Sequence, residues 1–216
     1  MDINSIIICT VDRQPEYIHQ TLGRLLFTSS SKKDIHLVVD GNDYKHLSTY
    51  KGYCTIYLNK VDKKCNTNLK RAAVNYARCL TLSKQLGGCN LILEDDVLLL
   101  PGWEEKLRSI NIDEAKWILS LNNLQHKDSK KDYEKFFVAK EIPQKVWCET
   151  FAVIYSPKIF EDIIEEMLKI SFYRNIAYDL SLGSIFFSRN YPIYEMVPSF
   201  VEHLGAKSHA NLGPKR

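Results

Sequence analysis

Three consecutive carboxylates, Glu94-Asp95-Asp96, lie between the apolar runs Leu91-Ile92-Leu93 and Val97-Leu98-Leu99-Leu100. Burying ionised carboxylates without partners is costly, so this segment calls for a counter-charge. Hard oxygen donors grouped at a strand end suit Mg²⁺ or Mn²⁺, and a divalent ion held there can bridge to the phosphates of a nucleotide. The same acids would also serve to cap a following helix or to form a solvated turn, and the local pattern leaves these options open. A second polar group is Arg71, Asn75 and Arg78, spaced i, i+4 and i+7. In a helix these share one face, separate from the apolar stripe, which is the usual arrangement of a solvated face.

The elements that must position these residues alternate. Ser5 to Val11 is a β-branched run of the kind found in strands buried on both faces, and after Pro15 the residues Tyr17, Ile18, Thr21, Leu22, Leu25 and Leu26 recur at helical spacing. Ile35 to Val39 and Thr55 to Leu58 read as further strands. Thr67 to Leu86 reads as a long helix stopped by Gly87-Gly88, and Asn90 to Leu93 as a strand again. Such alternation predicts a mostly parallel sheet covered by helices, with ligands at the carboxyl ends of the strands. The places to search are therefore Thr10 to Arg13, Asp40 to Asp43 and Glu94 to Asp96, although Asp40-Gly41-Asn42 is also an ordinary turn. Further on, Trp117 to Leu121, Phe136 to Ala139, Cys148 to Tyr155 and Ile193 to Val197 read as strands, Pro157 to Ile170 and Ala177 to Arg189 as helices, and Gln125 to Lys135 as an exposed loop. Nothing divides the chain, so a single domain over 1–216 is expected.

Composition excludes other classes. With 216 residues, 45% of them hydrophobic, and 29 basic against 26 acidic side chains, the chain is an ordinary globular one whose net charge of +3 is too small for a general nucleic-acid binder. No apolar run approaches the roughly 20 residues of a membrane span. No secretory or transit signal is legible at Met1 to Ser5, so a cytoplasmic location is expected. The six cysteines are scattered without metal-ligand or redox spacing, and reduced thiols are expected.

The strand ending in Glu94-Asp95-Asp96-Val97, followed by Pro101-Gly102-Trp103, resembles the acidic metal-binding motif of nucleotide-sugar-dependent glycosyltransferases with the GT-A fold. The segment Val197-Pro198-Ser199-Phe200-Val201-Glu202-His203-Leu204-Gly205-Ala206-Lys207-Ser208 is similar to a segment of that fold's branch-forming N-acetylglucosaminyltransferase-like members. In size and layout the chain also resembles small virus-encoded capsid glycosyltransferase domains. The resemblance implies an α/β, Rossmann-like three-layer sandwich of GT-A type, with a mostly parallel central sheet and a small mixed C-terminal part.

It further implies a site. Asp96 and His203 would ligate Mn²⁺ or Mg²⁺, and Glu94 and Asp95 would hold the ribose or the metal's water shell. Thr10, Val11, Arg13 and Asp40 would line the base, ribose and phosphates, Arg71 and Asn75 would reach the nucleotide from the long helix, and Lys207 and Ser208 would close the pocket. Asp179 would be the base that takes the acceptor hydroxyl's proton in an inverting displacement, with Trp147, Glu149 and Thr150 on the acceptor side. The alternatives are a hydrogen-bonded histidine at a strand end for His203 and a helix cap for Asp179. The implied function is transfer of a sugar from a nucleotide-diphosphate sugar, with uridine diphosphate the commonest carrier, to a glycan or glycoprotein acceptor hydroxyl. A nucleotidyltransferase or a dinucleotide-binding dehydrogenase is disfavoured because Cys9-Thr10-Val11-Asp12-Arg13-Gln14 has no glycine where a phosphate loop would stand. A nucleotidyltransferase of related sheet topology and a sugar- or nucleotide-binding module without turnover stay as the alternatives.

Overall fold

The computed structural model describes residues 1–11, 17–29, 34–41, 45–60, 65–122, 138–142 and 150–204. Arg13, Trp147, Glu149, Lys207, Ser208 and the stretch Gln125 to Lys135 lie outside the described residues. The chain runs β1 (Ser5–Val11), α1 (Ile18–Thr28), β2 (Asp34–Asp40), β3 (Thr55–Asn59), α2 (Asn68–Leu86), β4 (Asn90–Glu94), β5 (Val97–Leu99), α3 (Trp103–Arg108), β6 (Ile118–Ser120), β7 (Val138–Ile142), β8 (Ala152–Tyr155), α4 (Phe160–Arg174), α5 (Tyr178–Arg189), β9 (Ile193–Val197) and β10 (Val201–His203).

The described residues form an eight-stranded sheet in the order β3-β2-β1-β4-β8-β6-β9-β7 and a small antiparallel pair, β10-β5. From β3 to β4 every neighbour is parallel; β8 and β7 run against the rest. Continuous apolar runs suit these strands because both faces are covered. Along β1, Ile6 and Ile8 enter one core with Leu22 and Leu25 of α1, Trp103 of α3 and Val97 of β5, whereas Ile7 enters a second core with Tyr76 and Leu80 of α2, Met167 of α4 and Phe186 of α5. Each such side chain, fully removed from water, contributes about 1.5–3 kcal/mol. The result is a three-layer α/β sandwich with a mostly parallel sheet, as the alternation predicts.

Local signals set the helix ends. The Thr67 hydroxyl accepts a hydrogen bond from Lys70 N at the start of α2, and Gly87, at φ 69°, lets the chain leave after it. Gly102, at φ 77°, turns the chain into α3 so that Trp103 is fully buried. Helices α4 and α5 stop at Asn175 and Asn190, both left-handed. The expected helix from Pro157 opens as a 3₁₀ turn, Pro157–Ile159, before α4. The pairing of β5 with β10 has no counterpart in the periodicity, because strands of three residues are too short to display one.

The order of strands fixes where a ligand can enter. From β1 the chain steps outward through α1 to β2 and β3, then α2 carries it back across to β4 on the other side of β1. Strand order therefore reverses between β1 and β4, and the crevice outside their carboxyl ends is the place where such sheets take ligands.

Candidate active site

Thr10 closes that crevice from β1. Its hydroxyl donates to Asp95 Oδ2 at 2.7 Å, and Thr21 of α1 donates to the Asp95 carbonyl at 2.7 Å. Asp95 and Asp96 form the turn between β4 and β5 and are 6% and 5% exposed, so neither sits in a solvated turn. A polar residue inside an otherwise apolar stripe must find a partner, and that was the only sequence signal for Thr21.

Strand β10 brings the second donor. His203 pairs with Val97 across the β10-β5 ladder, and Leu204 N donates to the Asp96 carbonyl at 2.8 Å. His203 Nε2 thereby stands 3.4 Å from Asp96 Oδ2. The imidazole lies flat against Phe151, with ring centroids 4.1 Å apart and planes 11° from parallel, which fixes its orientation. Phe151 carried no signal in the sequence.

Glu94 engages the protein instead. Its Oε1 accepts from the Thr150 hydroxyl at 2.6 Å and from the Tyr178 hydroxyl at 2.7 Å. Burial pushes its carboxyl up to about 7, with the neighbouring charges of Asp96 and Asp95 adding to the rise and the two hydroxyls opposing it. Tyr178, which no pattern singled out, stacks on Tyr76 at 4.4 Å, and the Tyr76 and Tyr155 hydroxyls are hydrogen-bonded at 2.8 Å.

Asp179 is the second residue of α5, partly exposed, and its Oδ1 accepts from Leu180 N at 2.8 Å. Burial raises its pKa against the pull of the backbone N–H groups of Leu180 and Asp179. A raised carboxyl is a stronger proton acceptor than an ordinary aspartate.

At the ends of β2 and β3 the arrangement is protein-directed. Arg71 Nε donates to Asp40 Oδ2 at 3.0 Å, tying the first turn of α2 to the end of β2. Asn75 departs from the expected solvated face: it is 1% exposed. Its amide donates to Thr10 O at 3.0 Å, Val38 O at 3.2 Å and Cys9 Sγ at 3.2 Å, and its carbonyl accepts from Asn59 at 2.6 Å. Asn75 thus clamps β1, β2 and β3 together near their carboxyl ends. Val11 ends β1 beside Asp40, its partner in the ladder.

The donor chemistry can be weighed against a metal. Among the described residues no group of three or more His, Cys, Asp or Glu could hold an ion, so a closed structural site is absent there. A Mg²⁺-like ion is ordinarily held by one or two protein ligands, with water and substrate phosphates completing its shell. Two donors each about 2.1 Å from one ion stand roughly 3–3.4 Å apart in octahedral or tetrahedral geometry, which fits the Asp96 and His203 separation. Asp96 and His203 fit as the two protein donors such a cation would need.

No protein-family profile matches the chain, and no curated protein matches its sequence. Solved structures do. The chain is similar to the glycosyltransferase GlyE of Streptococcus pneumoniae TIGR4, with TM-score 0.56 and 9% identity over 90% of this chain and 45% of that one. It is similar to the bifunctional glycosyltransferase WbbM (TM-score 0.55, 10% identity, 89% of this chain and 38% of that one). It is also similar to the galactosyltransferase LgtC in complex with donor and acceptor sugar analogues (TM-score 0.56, 12% identity, 88% of this chain and 72% of that one). The chain spans less than half the length of GlyE and WbbM. At this identity the likeness establishes the fold: the molecule has the α/β architecture of GT-A glycosyltransferases. Among the described residues no helix is long and apolar enough to cross a membrane.

Proposed function

We propose that the protein is a metal-dependent glycosyltransferase that moves a sugar from a nucleotide-diphosphate sugar, by preference a uridine diphosphate sugar, to a hydroxyl of a glycan or glycoprotein. The observation that carries this reading is the meeting of Asp96 with His203 at the carboxyl edge of the sheet, beside the β1/β4 crevice. Asp96 and His203 would hold Mn²⁺ or Mg²⁺, which when bound supplies positive charge against the departing diphosphate. Thr10 fixes the Asp95 carboxylate beside them, and the Arg71 and Asp40 pair with Asn75 shapes the nucleotide end of the pocket. Arg13, Lys207 and Ser208 complete the assignment from the resemblance alone. Asp179, in the first turn of α5, accepts the acceptor's proton as its oxygen attacks the anomeric carbon from the face opposite the diphosphate, which inverts that centre. Kinship with branch-forming transferases rests on the His203 segment and kinship with virus-encoded capsid transferases on size and layout, and both belong to the same proposal.

A thermal-shift series with UDP, UDP-N-acetylglucosamine and other nucleotide sugars, with and without Mn²⁺, tests the reading. At 100-fold saturation a ligand adds about 2.7 kcal/mol, or a Tm rise on the order of 5–10 °C for a chain of this size. Stabilisation by Mn²⁺ with a nucleotide sugar, lost in Asp96→Asn and kept in Asp179→Asn, is expected. Absence of any Mn²⁺-dependent rise would sink the proposal.

A further inference from the structure

Helix α5 starts without a side-chain cap: its N-cap is Ala177, whose methyl group accepts nothing. In this turn the Asp179 carboxylate itself accepts from Leu180 N, which satisfies one N–H but ties Asp179 only to its own helix. Proton transfer tolerates little slack, because a base must stand within about 2.6–3.2 Å of the proton's donor atom, and displacement by 1 Å can cost about a hundredfold in rate. A contact that reaches beyond the helix has to fix this turn relative to the acidic turn.

Resting on the transfer chemistry proposed above, we infer that Tyr178 is a positioning residue: its hydroxyl, bonded to Glu94, fixes the first turn of α5 and with it Asp179 relative to the Asp96 and His203 pair. The bond runs from the residue directly before Asp179 to the residue two places before Asp96. Both of its ends are anchored. On one side the Tyr178 ring lies on Tyr76, which is fully buried and hydrogen-bonded through its hydroxyl to Tyr155. On the other side Glu94 is the last residue of β4; its N–H donates to Phe151 O at 2.9 Å and its carboxylate is held by Thr150. Glu94 is thus a joint between the acidic turn and the helix bearing the base, and Phe151 leads from the same joint to the face of His203. The body of α5 is secured separately, by Ser181 Oγ against Ser171 Oγ of α4 at 2.7 Å and by Leu182, Ile185 and Phe186 in the core. Removing the tyrosine hydroxyl should therefore release the first turn while the helix stays docked.

The test is Tyr178→Phe, which keeps the ring and its stacking. Turnover of UDP-N-acetylglucosamine with Mn²⁺ is measured alongside amide hydrogen exchange, which needs no substrate. Expected are a kcat about tenfold lower with donor KM within about twofold, a Tm within about 3 °C of wild type, and exchange at Leu180 about tenfold faster with the rest of α5 unchanged. Unchanged kcat together with unchanged exchange overturns the inference. So does a joint loss of kcat, KM and Tm with exchange raised throughout α5, the mark of general destabilisation. If the wild-type protein does not turn over this donor, the transfer reading fails for it; exchange then decides alone, faster at the first turn sustaining the tether and unchanged overturning it.

Discussion

Asn75 joins the ends of three strands through one amide group. Its donors serve β1 and β2 and its carbonyl receives Asn59 of β3, so truncation leaves buried carbonyls without a partner. Asn75→Ala is expected to cost about 1–3 kcal/mol in urea unfolding and to weaken nucleotide binding by loosening Thr10. Helical spacing grouped this residue with Arg71 and Arg78 on a solvated face. Spacing tells which residues share a face but not what the face meets, and here it meets strand ends with carbonyls to spare. The acidic triplet was legible for the opposite reason: charge between two apolar runs is a local conflict that stands out in the sequence, although the choice between a partnered site and a cap or solvated turn had to come from the structure. Phe151 and Tyr178 carry no such conflict and emerge only from the packing, and Thr150, expected on the acceptor side, donates to Glu94.

Between elements, β2 and β3 meet at a titrating contact. His36 of β2 is buried, its Nδ1 is 3.3 Å from the Tyr57 hydroxyl of β3, and burial lowers its pKa from the ordinary 6.5 against a smaller upward pull from Asp34. The unfolded chain then binds a proton that the folded chain resists, so this contribution is complete above pH 6.5 and is lost as pH falls below it toward the folded pKa. The difference in stability between wild type and His36→Gln, followed by urea unfolding, should shrink or reverse across that acidic window. The β5-β10 pair depends on Phe200, which is 1% exposed and whose carbonyl accepts from Leu100 N at 2.8 Å. Phe200→Ala is expected to cost about 3–5 kcal/mol and to lower Mn²⁺ affinity in calorimetric titration, since His203 is placed by that strand. Long strands and helices were readable from periodicity. The short ladder that brings His203 to Asp96 was not, because its partners are distant in sequence and too brief to show a pattern.

Across the whole molecule the two edges of the sheet do different work. At the amino ends of the strands, Asn90 donates to Ser83 O at 3.0 Å, Ser83 Oγ at 3.1 Å and Gly87 O at 3.1 Å, securing the exit of α2. It lies a full strand length from the acidic turn. Asn90→Ala should cost about 1–3 kcal/mol in unfolding yet leave Mn²⁺ and nucleotide affinity unchanged, a separation that equilibrium titration of the folded variant checks. The three-layer class could be read from alternation because each βα unit announces itself within a few dozen residues, whereas the direction of β7 and β8 follows from pairing with β9 and with β4 and β6, partners distant in sequence that local propensity does not reveal. The coupling of Asp96 to His203 has a temporal side. Its two members are separated by almost half the chain, and distant pairing is the slow part of folding. During synthesis, the proposed affinity for a cation would arise only once the later strand has emerged and docked, so metal capture would mark maturation of the molecule rather than guide its early collapse.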